Sequence, residues 1–127
     1  MKRVLLVLLL LFNFSYSQDL SIKEALKIAK EKEKDLLVFI HSEHCYFCRD
    51  MQKNTLDDKE VKEFIDKRFI FLKIDQDDKE LLRDDLNTDF VPITYIISYE
   101  DEEILLELPG RKDKATFISI VKDTLLE

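Results

Sequence analysis

The chain of 127 residues has no tryptophan, one glycine, two prolines, two cysteines and two histidines. Each scarcity excludes something. Two cysteines cannot build the cross-linked scaffold of a small disulfide-rich domain. With one glycine, at position 110, the acidic runs Asp75–Asp78 and Glu100–Glu103 lack the central glycine of an EF-hand loop, and they read as solvated loops. The absence of repeats, low-complexity stretches and Pro/Gly/Ser-rich linkers argues for one domain, as the length does. A basic excess is also missing: 20 Lys+Arg stand against 27 Asp+Glu, a net charge of −7. Phosphate binding draws on clustered Lys and Arg, so no nucleic-acid partner is expected. A hydrophobic fraction of 46% beside a charged fraction of 37% fits a globular domain and not a disordered tail.

A long hydrophobic run is missing too. Val4–Phe14 is apolar except for Asn13. As a helix it covers roughly 16 Å, about half the hydrocarbon core of a bilayer. Lys2 and Arg3 precede it, and Ser15-Tyr16-Ser17 follows with small residues at the spacing of a signal-peptidase site. Residues 1–17 therefore read as a secretory signal peptide, cleaved to leave one domain over residues 18–127. No cysteine lies near that point, which argues against lipid attachment. Losing Lys2 and Arg3 makes the mature chain more acidic still, which favours a soluble monomer with no stable membrane insertion. Export, with the periplasm as the expected destination, places both cysteines where a disulfide persists.

The mature chain reads as alternating elements. Ser21-Ile22-Lys23-Glu24 is a capping box, and Ile22, Ala25, Leu26 and Ala29 fall on one helical face. Leu36–Ile40 is a continuous apolar run that suits a strand buried on both faces. A short loop then enters a helix at Cys45. Asp57 or Asp58 caps a further helix with Val61, Phe64 and Ile65 inside. Phe69–Ile74 reads as a second buried strand, and Asp77-Asp78 precedes a short helix carrying Leu81, Leu82 and Leu86. After a loop ended by Pro92, Ile93–Ile97 forms a third strand. Tyr99–Glu102 makes a hairpin connection without the usual glycine, and the strand of Ile104, Leu106 and Leu108 returns. Pro109-Gly110 ends it, and Asp113 opens a last helix with Phe117, Ile118, Val121 and Leu125. The order is α-β-α-α-β-α-β-β-α. The early βαβ units give parallel strands and the late hairpin adds an antiparallel one. The fold class is α/β, a mixed central sheet with helices on both faces.

Cys45-Tyr46-Phe47-Cys48 carries the chemistry. It follows a buried strand and begins a helix, where free N–H groups and the positive helix end favour thiolate over thiol at Cys45. Cys48 lies three residues on, on the same face and within disulfide reach. As a staple the pair is poor. Closing a four-residue loop removes about 2 kcal/mol of unfolded-state entropy, against about 3 for a 15-residue loop. Redox chemistry, which needs a link that opens and closes, is the better reading.

The strand, the CxxC at a helix start, and Val91-Pro92 before a later strand resemble the thioredoxin fold. The resemblance is to exported bacterial thioredoxin-like proteins more than to thioredoxin, and it covers about Leu20 to Leu126. It implies a thiol-disulfide oxidoreductase with Cys45 as the attacking thiolate and Cys48 as the resolving thiol. It also implies a cis Pro92 facing the pair and a Val91 backbone that pairs with a bound peptide. The partners would be protein dithiol or disulfide substrates and a redox partner, with no cofactor. The chain departs from thioredoxin at three places. His44 replaces the usual Trp before the first cysteine, Tyr46-Phe47 replaces Gly-Pro, and Phe39 stands where thioredoxin buries an Asp.

His44 beside Cys45 would modulate it, favouring the thiolate as imidazolium or moving a proton as imidazole, while Glu43 pulls the other way. Tyr46 and Phe47 offer an apolar rim for a protein substrate, or else pack over the helix start. Two rival readings stand beside the oxidoreductase. His41, His44, Cys45 and Cys48 could hold zinc or copper(I) in a periplasmic metal-binding protein, although His41 ends a strand and need not converge on the others. A binding module could also have kept the fold and lost turnover. Haem attachment fails because Arg49, not histidine, follows Cys48.

Overall fold

The computed structural model describes residues 19–126. The expected signal peptide lies outside them. Helix α1 (Ile22–Lys32) leads into strand β1 (Asp35–His41), then helix α2 (Tyr46–Met51), whose last turn widens into a π-helical turn (Gln52–Leu56). Helix α3 (Lys59–Arg68), strands β2 (Phe69–Asp75), β3 (Ile93–Ile97) and β4 (Ile104–Pro109), and helix α4 (Lys114–Leu125) complete the chain. The sheet order is β2-β1-β3-β4. β1 pairs with β2 in parallel and with β3 antiparallel, and β4 is antiparallel to β3. The class is the expected mixed α/β sheet.

Local sequence sets the helix ends. Ser21 Oγ accepts from the Glu24 N–H at 3.1 Å while Glu24 Oε1 accepts from the Ser21 N–H at 3.3 Å, the reciprocal box the sequence predicts. Of the two candidates for α3, Asp58 is the cap, accepting from Glu60 and Val61 N–H at 3.0 and 3.2 Å. Asp113 caps α4 through the Thr116 N–H at 2.9 Å.

β1 is the centre of the molecule. Leu36, Leu37, Val38, Phe39 and Ile40 are each 0% exposed. Side chains alternate across a strand, so β1 feeds two cores. Leu36, Val38 and Ile40 meet Ile22 and Leu26 of α1 on one face. Leu37 and Phe39 meet Cys48 and Met51 of α2, Phe64 of α3 and Phe117 of α4 on the other. Burying each such side chain contributes about 1.5–3 kcal/mol before entropy is counted.

Three expectations change. The apolar run Phe69–Ile74 is an edge strand and not a strand buried on both faces: among the described residues no strand pairs with the outer side of β2, Phe71 is 38% exposed and Lys73 is exposed. The helix expected around Leu81, Leu82 and Leu86 does not form; residues 76–92 hold only turns and bends. Their backbone groups are used across the fold instead. The Ile22 N–H donates to Leu81 O at 2.9 Å, and the Gln76 amide to Thr88 O at 2.9 Å. The Asn87 N–H donates to the Tyr95 hydroxyl, which donates back to Asn87 O. With no crossover helix there, β3 returns antiparallel to β1. The glycine-free hairpin closes because Glu102 adopts φ +62°, its N–H donating to Ser98 O at 3.0 Å.

The caps predict how acid acts. The Val61 N–H holds the Asp58 carboxyl below its ordinary range, and the Thr116 N–H does the same for Asp113. A carboxylate with a lowered folded pKa adds stability that is fully present above its unfolded value, about 3.9, and is lost as pH falls through the folded value. The urea midpoint should therefore hold above about pH 4 and decline below it. Replacing both caps with Asn keeps the capping oxygen but removes the titration. The Asp58→Asn/Asp113→Asn chain should show a shallower acid decline.

Candidate active site

The site forms where β1 ends. After His41 the chain makes a short turn, in which the Cys45 N–H donates to Ser42 O at 3.4 Å, and Cys45 caps α2. The Cys48 N–H donates to Cys45 Sγ at 3.1 Å. The sulfur thus occupies the place that an Asp or Ser oxygen holds at other helix starts. Cys45 and Cys48 form a disulfide with Cα atoms 5.2 Å apart, inside the usual range. The two sulfurs have different surroundings. Cys45 is half-buried at the surface, whereas Cys48 is 2% exposed and packs with Phe39 and Met51.

Val91-Pro92 stands opposite. The peptide bond between them is cis, and Cys45 Sγ lies 3.9 Å from Val91 O. The chain's one glycine fixes this loop from the other side. Gly110 has φ +86°, and its N–H donates to Pro92 O at 2.8 Å. Arg111 then pairs with Asp50 of α2, and Thr55 Oγ1 donates to Lys112 O at 2.7 Å. The Arg111 guanidinium beside Asp50 holds that carboxyl below the usual range. The loop after β4 is in this way fastened to the helix that carries the cysteines.

Between these elements lies an open groove of about 350 Å³ lined by Phe47, Phe90, Val91, Pro92, Gly110 and Arg111. Tyr46, Phe47 and Phe90 are 66%, 58% and 57% exposed. Tyr46 and Phe47 meet edge to face, with centroids 5.5 Å apart. They do not pack down over the helix start. They stand out beside the disulfide as an apolar rim, the kind of exposed patch that marks an interaction surface.

The structure thus brings Cys45, Cys48, Tyr46, Phe47, Val91 and Pro92 together. His44 is exposed beside Cys45. His41 does not join His44 and the cysteines as a ligand set: among the described residues no three His, Cys, Asp or Glu side chains are grouped to hold a metal ion. Its ring instead stacks on Phe39, centroids 6.2 Å apart and planes within 6°. Sequence reasoning missed Phe90, Gly110 and Arg111. An exposed aromatic directly before Val91-Pro92 was the available signal for Phe90; nothing local marks the other two.

A mixed four-stranded sheet, a CxxC disulfide at the helix start after its central strand, and a cis X-Pro loop across from it define a thioredoxin-like domain. The chain belongs to the thioredoxin-like domain family, whose sequence pattern matches residues 22–125. No curated protein matches it. Among solved structures it is similar to a thioredoxin from Thermus thermophilus, with 24% identity over 85% of this chain and 86% of that one, at a TM-score of 0.71. It is also similar to the DsbH oxidoreductase, with 21% identity over 85% and 83% of the two chains and a TM-score of 0.64. The oxidised C-terminal domain of DsbD from Neisseria meningitidis shares 21% identity over 84% and 99%, with a TM-score of 0.60. These likenesses show the fold.

Gly110 yields a test. A Cβ there would meet only Lys112 Nζ at 3.4 Å, the end of a flexible side chain, so space is not the obstacle. The positive φ is, and an L-residue held there costs about 1–2 kcal/mol. Gly110→Ala should lower stability by about that amount in urea unfolding. Unchanged stability would mean that the turn behind Pro92 is not held as described.

Proposed function

We propose that the protein is an exported thiol-disulfide oxidoreductase that exchanges disulfides with protein substrates, with Cys45 as nucleophile and Cys48 as resolving thiol. The observation that carries this reading is the inequality of the two sulfurs. Cys45 is reachable and accepts a backbone N–H at a helix start, the setting that stabilises a thiolate; Cys48 is shielded behind it. In the reducing direction the Cys45 thiolate attacks one sulfur of a substrate disulfide. That bond breaks, a Cys45–substrate mixed disulfide forms, and the first substrate thiolate leaves. Cys48, as thiolate, then attacks Cys45 Sγ; the intramolecular disulfide forms and the second substrate thiolate leaves. Two electrons pass from the protein dithiol to the substrate, and a partner dithiol restores the reduced state. The same steps run backward oxidise a substrate dithiol.

The exposed Tyr46, Phe47 and Phe90 suit a protein substrate, since they offer apolar area where an extended segment could lie along Val91. Export is supported by the sequence of residues 1–17. A periplasmic setting fits the similarity to proteins named DsbH and DsbD. Among the described residues no helix is long and apolar enough to cross a membrane.

Two variants and one titration test the assignment. Cys45→Ser should abolish exchange with a model disulfide. Cys48→Ser should accumulate mixed disulfides with partner proteins. Alkylation of Cys45 in the reduced chain should follow a pKa below that of a free thiol, about 8.5. A Cys45 value at or above that figure, together with no trapped mixed disulfide, would remove the nucleophile and leave a binding module.

A further inference from the structure

Resolution of the mixed disulfide requires Cys48 to become a thiolate, and Cys48 is buried. A buried thiol resists ionisation, because low polarity disfavours the charged form. Its proton needs an acceptor on the protein. Cys48 lines a cavity of about 140 Å³ that shares none of the apolar groove's lining residues.

Few groups on that cavity could take a proton. Arg49 and Lys53 from the α2 side and Lys73 from β2 are cations and have none to accept with. The Ser42 hydroxyl is not a base at neutral pH. Asp57 lines it too, but its Oδ1 already accepts from the Gln52 amide at 2.7 Å. The remaining group is His41.

We infer that His41 is the proton acceptor for Cys48 in the resolving step. The inference rests on the oxidoreductase reading above. Strand geometry directs His41 to the correct face. It lies two residues after Phe39 on β1 and stacks on that ring, and Phe39 shares a packed cluster with Cys48 and Met51. Burial, reinforced by the Lys73 charge, pushes the His41 pKa down against the opposing pull of Asp75, the Ser42 backbone and Asp78. The imidazole is therefore neutral, and able to accept, at neutral pH. The lining cations Lys73, Arg49 and Lys53 favour the nascent thiolate, while the Lys73 charge opposes the imidazolium, so the proton is held only briefly on His41. Gln52 also lines the cavity, and its Oε1 is buried with no hydrogen-bond partner among the described residues, an acceptor for an imidazolium N–H. The step balances. The Cys48 S–H proton passes to a ring nitrogen of His41, the Cys48 thiolate attacks Cys45 Sγ, the substrate thiolate leaves as the disulfide closes, and His41 returns the proton to that thiolate or to solvent. The substrate disulfide is the oxidant.

Stopped-flow reaction of the reduced chain with less than one equivalent of an aromatic disulfide that releases a coloured thiolate separates the two steps. The first release reports Cys45 and the second reports Cys48. His41→Gln should slow the second release by roughly a hundredfold at neutral pH, with the deficit closing as alkaline solvent takes over the deprotonation. His41→Phe, which keeps a ring on Phe39 but no base, should give the same profile. A second release slowed by one factor at every pH, or not slowed, would overturn the inference. Should neither variant fold, the wild-type chain decides: the inflection of the second release must follow the His41 titration seen by NMR, and an inflection at a free thiol's value near 8.5 would sink it. Loss of the first release would instead remove the oxidoreductase reading itself, and the inference with it.

Discussion

The bond from the Cys48 N–H to Cys45 Sγ is the interaction on which the rest of the site depends. It exists only if the chain is extended at Cys45 and helical from Tyr46, which makes the sulfur the first acceptor of the helix. One consequence is electrostatic: the sulfur sits at the start of the helical run from Tyr46 to Leu56, where free N–H groups and the positive helix end favour negative charge. The other is geometric. With Cys45 at the cap, Cys48 falls one turn along, where it packs with Phe39 and Met51, so one sulfur is reachable and the other shielded. Chemistry that needs an attacker and a resolver needs that asymmetry.

The helix can start there because β1 is immovable. Five successive residues without exposed area are held from both faces, and α1 on one side and α2, α3 and α4 on the other pack against the same backbone. A strand so placed delivers His41 and the following turn to a fixed point. The opposite wall is set independently. Pro92 precedes β3, the neighbour of β1, and Gly110 follows β4, the neighbour of β3. The groove is therefore built from the ends of adjacent strands in one sheet, and the Arg111–Asp50 pair ties its far side back to α2. Three aromatic rings stand exposed on this frame, at a cost in hydration that a purely structural surface would not retain.

What was legible in the sequence follows from the range of the interactions involved. The Ser21–Glu24 box was readable because both partners lie within one turn. The Leu36–Ile40 strand was readable because burial on both faces leaves an unbroken apolar run. Phe69–Ile74 carries nearly the same run, yet lies at the sheet edge, and hydrophobicity does not encode a strand's lateral position. The leucines of residues 81–86 suggested a helix, but Leu81 O accepts from Ile22 across the fold, and the Leu81 and Leu86 N–H groups close single turns onto Asp78 O and Arg83 O. The site divides in the same way. Cys45, Cys48, Tyr46 and Phe47 are contiguous and were found together. Phe90, Gly110 and Arg111 reach the groove only through the sheet order, which no local pattern carries.

His41 shows the limit from the other side. Read as one member of a His-Cys cluster, it pointed to metal, because spacing along the chain placed it four residues before Cys45. Strand alternation gives a different answer from the same residues. Phe39 and His41 share a face, that face packs on Cys48, and His44 belongs to the turn outside. Two histidines three residues apart therefore have different surroundings: His44 is exposed in the turn beside Cys45, and His41 lines the cavity that Cys48 also lines. A ligand set needs convergence, and β1 separates them. What the separation offers is one imidazole in the exposed turn beside the outer sulfur and another lining a cavity shared with the inner one.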